Sequence, residues 1–247
     1  MTPLKTTTGT ADQGAELLAQ RIREQSPTFF FRFGDGALEC IQILQHEVKA
    51  RGETCDGERY SKPLADALLL DTWCNCAADS RVFVGDWLTA TFIGAPTHER
   101  EWEVLLNCVD LEVKLLHFES LLLMRRSEAL VSFYRTVRDS RQRKLFMGPA
   151  WNSGAAAMLG AEFLEVPTRD LFNYRQQIVG RLNRSNFDVL LYGAGMAGNV
   201  FASDAWQVNP NRTYLNLGSA MDPLFYRRTR KQQLTTAAAR QMFRELV

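Results

Sequence analysis

Three aspartates in this sequence stand where a backbone turn would present a carboxylate to a ligand. Asp35 lies between two glycines in Phe29-Phe30-Phe31-Arg32-Phe33-Gly34-Asp35-Gly36-Ala37-Leu38-Glu39-Cys40. That stretch reads as an aromatic strand, a glycine-hinged turn and the first turn of a helix. Asp35 would then face the crevice at the carboxyl end of a strand, where open α/β sheets bind ligands; the plainer alternative makes it the N-cap of the helix. Asp86 ends a second short strand, Arg81-Val82-Phe83-Val84-Gly85-Asp86-Trp87, in the same kind of position. Asp56 sits in a polar loop, Arg51 to Tyr60, that also holds Gly57, Glu58 and Arg59 and reads either as a functional loop or as a solvated turn. A carboxylate or a histidine in such a place can take a proton from a hydroxyl. His117 occupies an apolar stretch, Val113 to Met124, where a histidine is more often a satisfied core residue.

The elements that position these groups follow from hydrophobic period. Helical patterns span Ala15 to Gln25, Leu38 to Lys49, Ser61 to Trp73, Glu99 to Leu106 and Ser127 to Val137. In the second half, strands at Lys144 to Pro149, Glu162 to Pro167, Phe187 to Tyr192 and Thr213 to Leu217 alternate with helices. Such alternation implies a parallel sheet with right-handed crossovers, an α/β fold of Rossmann-like topology. Gly193-Ala194-Gly195-Met196-Ala197-Gly198 has the G-x-G-x-x-G form between a strand and a helix. A nicotinamide site is disfavoured, because little chain remains for the partner βαβ unit and its acid. A cradle of backbone amides for phosphate survives that objection.

The 247 residues, 46% hydrophobic and 23% charged with net charge +1, suit an ordinary globular chain and argue against a nucleic-acid binder on bulk charge. Residues 1–14 are polar and are expected to be a flexible tail, with residues 15–247 as a single α/β domain. No apolar run approaches the roughly 18 residues of a membrane span. Five cysteines, an odd number, favour reduced thiols and a cytoplasmic setting. Cys74-Asn75-Cys76 lacks zinc spacing.

Several of these segments together resemble one family. Phe31-Arg32-Phe33-Gly34-Asp35-Gly36 is similar to the R-[FY]-G-D-G-E signature of the GT-D-type glycosyltransferases, and Cys55-Asp56-Gly57-Glu58-Arg59-Tyr60 is similar to an N-C-D-G-x-x-Y segment in one branch of it. Lys144 to Pro149, Asp188 to Asp204 and Tyr214 to Pro223 resemble three blocks of its C-terminal half. The resemblance implies transfer of a sugar from a nucleotide sugar, expected to be a UDP-sugar, to an acceptor hydroxyl with the help of a divalent metal, manganese or magnesium. It associates Asp35 and a following Glu with metal and diphosphate, but the Glu position here is Ala37, which leaves Glu39, Glu58 or Asp86 as substitutes. Asp35 and Glu39 are the expected metal ligands, and the transfer so implied calls for a base at the acceptor hydroxyl, for which Asp56 or Asp86 is preferred, with Asp222 and His117 as further candidates. The expected donor contacts are Arg32, Gly34, Asp35, Gly36, Tyr60, Gly193, Gly195, Ser219, Asp222 and Arg230. The acceptor stays open between a glycan or glycoprotein and a hydroxymethylated base in phage-type DNA, which the arginine-rich stretches at Arg125 to Lys144 and Arg227 to Lys231 would suit. A non-catalytic module that binds a nucleotide sugar or phosphate is the alternative, and a nicotinamide-dependent oxidoreductase a third.

Overall fold

The computed structural model describes residues 6–45, 58–76, 79–91, 98–107, 113–124, 126–225 and 234–244. Its sheet is built outward from the aromatic strand Phe29–Arg32, in which every residue is buried. Burial on both faces is what a parallel strand covered by two helical layers requires, and it explains the run of three phenylalanines. Phe29 and Phe31 stack on one face toward Trp206 and Trp73, while Phe30 and Arg32 lie on the other.

In chain order the strands are β1 (Thr6–Thr8), β2 (Phe29–Arg32), β3 (Val82–Asp86), β4 (Lys114–His117), β5 (Lys144–Gly148), β6 (Glu162–Glu165), β7 (Val189–Tyr192) and β8 (Thr213–Asn216). They form one eight-stranded sheet in the order β1-β4-β3-β2-β8-β7-β5-β6. Every pairing is parallel. The helices are α1 (Ala11–Arg23), α2 (Asp35–Gln45), α3 (Lys62–Asp66), α4 (Glu99–Asn107), α5 (Glu128–Asp139), α6 (Ser153–Met158), α7 (Arg175–Arg184), α8 (Gly195–Val208), α9 (Asp222–Phe225) and α10 (Thr236–Met242). α3 runs on as a π-helical stretch, Ala67–Cys74. The protein is thus an α/β fold with a parallel sheet flanked by helices, as the alternation in the sequence implies.

The tail boundary needs correction. Thr6–Thr8 pairs with β4 at the edge of the sheet, and α1 begins at Ala11 rather than Ala15. The cause is a capping box: the Thr10 side chain accepts from the Gln13 backbone N–H while the Gln13 side chain reaches back to the Thr10 N–H. Val113 to Met124 resolves into the short strand β4 followed by turns.

Right-handed crossovers place α1, α5 and α6, which lead the chain one way along the strand order, on one face. The same rule puts α2, α7 and α8, which lead it the other way, on the opposite face. Packing agrees, since α1 lies on α5, and the π-helical stretch lies on α8, which in turn contacts α7. The chain leaves β2 and β7 toward α2 and α8, but leaves β5 and β8 toward α6 and α9, which pack on each other. In open α/β sheets, exits that diverge in this way mark the end where a ligand crevice is expected, here over the carboxyl ends of β2, β8, β7 and β5.

At the opposite, amino end of the sheet two acid–arginine pairs pin strand starts. Asp79 accepts from the Arg81 backbone and guanidinium before β3, and Asp188 does the same for Arg143 before β7. The arginine hydrogen bonds, as the largest cause, hold both carboxyls below their ordinary value. An acid with a lowered folded pKa contributes stability above its ordinary pKa, and that contribution is lost as pH falls through the folded value. Thermal unfolding is therefore expected to shift downward below about pH 4 by an amount that the double variant Asp79→Asn/Asp188→Asn no longer shows. Both pairs are partly solvated, so each is worth at most about 1 kcal/mol. Equal acid sensitivity in the double variant would show that other groups carry it.

Candidate functional site

The centre of the carboxyl-end crevice is a buried polar chain that ties four elements together. Arg32, at the end of β2, is 6% exposed and donates to the Phe118 carbonyl at 3.3 Å and to Asn216 Oδ1 at 3.4 Å. Asn216, at the end of β8, donates to Asn199 Oδ1 at 2.6 Å, and Asn199 donates to the Arg32 carbonyl at 2.8 Å. Tyr192, at the end of β7, adds its hydroxyl to Asn199 Oδ1 at 3.1 Å. Burial drives the Tyr192 phenol well above its ordinary value, so it stays protonated and donates. The guanidinium also lies over the rings of Phe30 and Phe118, at 5.9 and 5.4 Å. Room for it comes from two glycines: a Cβ on Gly85 would lie 2.5 Å from Arg32 Cγ, and one on Gly218 would lie 2.7 Å from Arg32 Nη2. Arg32, expected at the diphosphate, is buried here and braces the ends of β2 and β8 against the turn after β4.

Around this floor the three glycines of Gly193 to Gly198 divide their work. A Cβ on Gly193 would lie 2.7 Å from the Gly218 carbonyl, and one on Gly198 would lie 2.9 Å from Ala194 Cβ. Those two glycines let β7, β8 and α8 approach. Gly195 is different: it opens α8 at φ +57°, is exposed, and has nothing within 4 Å of where a Cβ would stand. Among the described residues no side chain caps this 14-residue helix, which leaves its first N–H groups and positive dipole end for a ligand or solvent to meet. Asn152 comes to the same place from the turn after β5. It is 3% exposed, its Nδ2 lies within 3.1 Å of a Cβ position on Gly193 and 2.6 Å of one on Gly148, and among the described residues its amide makes no hydrogen bond. Ser219 and Asp222, after β8, are half-buried beside Gly218.

On the other side of the crevice, the Gly34 carbonyl accepts from the Ala37 and Leu38 N–H groups, so Gly34 occupies the cap position and Asp35 the first helical turn. Asp35 is exposed and makes no hydrogen bond or ion pair among the described residues. Gly36 is half-buried in the same turn, and Ala37 is 3% exposed. Glu39 stands one turn on from Asp35, where Tyr60 donates its hydroxyl to Glu39 Oε2 at 2.5 Å. Burial first, then this hydrogen bond and the charges of Glu39 and Asp35, push the Tyr60 phenol up, so it remains the donor. The other Glu39 oxygen lies 3.9 Å from His98 Nε2, and Glu101 lies 3.6 Å from His98 Nδ1. His98 joins this group without any signal in the sequence, being far along the chain from both Glu39 and Tyr60. Asn199 did carry one, as a polar residue among the apolar and small residues that open α8.

Asp86 is 5% exposed, and its Oδ1 accepts from the Leu88 N–H and Trp102 Nε1, both at 3.1 Å. Instead of facing the crevice openly, it caps the turn after β3 and anchors α4. Glu58, a possible metal ligand in sequence, accepts from the Leu171 and Phe172 N–H groups at 2.8 and 3.2 Å and so clamps the turn after β6. Burial keeps its carboxyl above the ordinary value. His117 Nδ1 accepts from the Glu119 N–H at 3.2 Å, and Glu119 binds Thr91; both shape the loops above β4. Burial pushes the Cys40 and Cys76 thiols up to about 11, which leaves neither as a nucleophile near neutral pH. Asp56 and Arg230 lie outside the described residues. Among the described residues no three His, Cys, Asp or Glu side chains converge as metal ligands, and no helix is long and apolar enough to cross a membrane.

No family model matches the chain, and no curated protein matches it. Two solved structures share its fold. A selenomethionine-substituted structure of domain of unknown function 1792 superposes with a TM-score of 0.57 at 16% identity, over 85% of this chain and 83% of that one. A second, described as showing that this highly conserved domain has a distinct glycosyltransferase fold, gives a TM-score of 0.54 at 16% identity, over 85% of this chain and 82% of that one. At such identity the likeness is one of fold: this chain has a glycosyltransferase-like fold.

Proposed function

We propose that this protein is a glycosyltransferase that binds a nucleotide sugar, in first place a UDP-sugar, across the carboxyl-end crevice and passes the sugar to an acceptor hydroxyl. One observation carries the reading. An uncapped α8 N-terminus, opened by Gly195, and the buried Asn152 amide converge where the strand exits diverge. Donors of this kind suit a diphosphate, whose oxygens accept from backbone and side-chain N–H groups. As the bond to the sugar breaks, negative charge grows on the leaving diphosphate, and preorganised donors stabilise it most when they need not reorient.

Magnesium or manganese is commonly held by one or two carboxylates together with substrate phosphates. Asp35 fits that need, being exposed and at the helix start nearest β2. Glu39 is less suited, because one of its oxygens already accepts from Tyr60. A bound cation would supply further charge neutralisation for the leaving group. Since Asp86 is occupied with capping, Glu39 is the described carboxylate better placed to accept the acceptor proton, with Tyr60 and His98 holding its orientation. Ser219 and Asp222 are placed to meet sugar hydroxyls.

A second reading, a module that binds the nucleotide sugar without turnover, draws on Ala37 in place of the family Glu. Calorimetric titration with UDP and UDP-glucose, with and without manganese, tests both. Manganese-dependent binding that Asp35→Ala weakens by about ten-fold or more, a loss of about 1.4 kcal/mol, is expected. Release of UDP on incubation with acceptors separates the transferase from the module. Absence of nucleotide binding would remove both.

A further inference from the structure

Charge is unevenly shared out along this chain. The four central strands β2, β8, β7 and β5 are entered from α1, α8, α7 and α5. Backbone hydrogen bonds hold the entry segments side by side. The Tyr214 N–H donates to the Thr28 carbonyl at 2.8 Å, the Thr213 N–H to that of Asp188 at 2.9 Å, and the Asp188 N–H to that of Arg143 at 2.8 Å. From the last helical turn to the strand, these segments are residues 20–28, 205–212, 181–188 and 136–143, and all of them are described. They hold eight arginines and no lysine, against three acids, Glu24, Asp139 and Asp188. That excess of five positive charges stands in a chain of net charge +1, so the remaining residues are net negative by four. The near-neutral total conceals a basic end. On its flanks the excess stops, since Arg81 is paired with Asp79 before β3 and Glu162 stands at the start of β6.

Part of this excess serves the fold. Four helix C-termini meet here, each with about half a negative charge, and together they offset about two of the five. Arg138 and Arg143 pair with Asp139 and Asp188, and Arg21 and Arg212 lie over the rings of Phe83 and Phe187. Arg141, Arg181 and Arg184 are different: they are exposed and make no hydrogen bond or ion pair among the described residues. Arg141 also lines a polar hollow with Gln25, Gln142 and Asn211, over the amino ends of the same strands. Guanidinium forks match pairs of phosphate oxygens, and amide side chains beside them suit phosphate and sugar. An anionic membrane would call for apolar side chains to enter the interface beside the cations, and Val208 is the one large apolar side chain that these segments expose.

We infer that the amino ends of β2, β8, β7 and β5 form a docking surface for the phosphate backbone of nucleic acid, bound without regard to base sequence. Strands of four or five residues separate it from the candidate site by about 13 Å or more, so it holds a partner rather than presenting one for reaction, and it stands whether or not the transferase reading does. Fluorescence anisotropy of a labelled mixed-sequence DNA duplex, titrated with the full chain at about 50 to 200 mM salt, tests it. Binding that weakens steeply with salt is expected. The triple variant Arg141→Gln/Arg181→Gln/Arg184→Gln should lose about ten-fold or more in affinity and flatten the salt slope by about three, with a native melt. An equal change of charge elsewhere, Lys62→Gln/Arg100→Gln/Arg169→Gln at three exposed positions, should change affinity by less than about two-fold. Absence of duplex binding at the lowest salt, or equal losses in the two triple variants, would overturn the surface. Phosphatidylserine vesicles that bind the native protein more tightly than the duplex at the same salt would assign this end to a membrane and overturn the nucleic-acid partner.

Discussion

Arg32→Ala is expected to lower the unfolding free energy by about 3–5 kcal/mol, the range for removing one member of a buried charged hydrogen-bonded set. Three costs add. The Phe118 carbonyl and Asn216 Oδ1 lose their donor in a region sealed from water. The rings of Phe30 and Phe118 lose the guanidinium between them. A cavity opens where Gly85 and Gly218 had been kept small to admit the side chain. For a chain of this size that loss corresponds to a fall in melting temperature on the order of 10 °C. Arg32→Lys should rescue little, since a single ammonium cannot reach both acceptors while lying flat between two rings. Urea unfolding of the three proteins measures this directly. A loss under 1 kcal/mol would mean that Arg32 is a ligand contact rather than a brace, and UDP affinity would then be the property that collapses.

Gly193→Ala and Gly195→Ala should fail in different ways although they lie two residues apart in one motif. At Gly193 the new methyl meets the backbone carbonyl of Gly218, which no rotamer change can move. Overpacking of that kind costs about 1–3 kcal/mol, and it displaces the exit of β8 that carries Ser219. At Gly195 the methyl meets nothing in the protein, so the expected stability loss is the left-handed backbone cost alone, about 1 kcal/mol. Its effect falls on the ligand, because the Cβ would stand in the space before the α8 amides. UDP affinity is therefore expected to drop about ten-fold in Gly195→Ala with a nearly native melt. Gly193→Ala is expected to melt earlier. Equal UDP affinity in native protein and Gly195→Ala would argue against a diphosphate at this helix start.

The division among these glycines shows where sequence reading reached and where it stopped. The motif was legible as a strand-to-helix turn because its glycines fall between an apolar strand and a helix. Which glycine serves packing and which leaves room could not be read, because that depends on Gly218 and Asn152, brought in by β8 and β5. Asp35 is similar: its exposed place at the start of α2 follows from the flanking glycines and the aromatic strand before it. The fate of Arg32, three positions earlier, does not follow, since an arginine beside a ligand turn looks the same whether it points into the crevice or under it.

Local pattern by itself determined most of the strands and helices, and through them the parallel sheet and the end of it that carries the candidate site. Apolar runs, caps and turn glycines act within a few residues, and the handedness of crossovers extends them to a topology. It also held the Thr10–Gln13 capping box that starts α1, a signal outweighed by the polar composition around it. Only the tertiary structure decided which polar groups serve the fold and which face solvent. Glu58 clamps Leu171 and Phe172, Asp86 caps a turn and anchors Trp102, and Glu39 meets Tyr60 and His98. Each of those partners is distant in sequence, and a carboxylate's role is set by the donors that surround it and by the water they exclude.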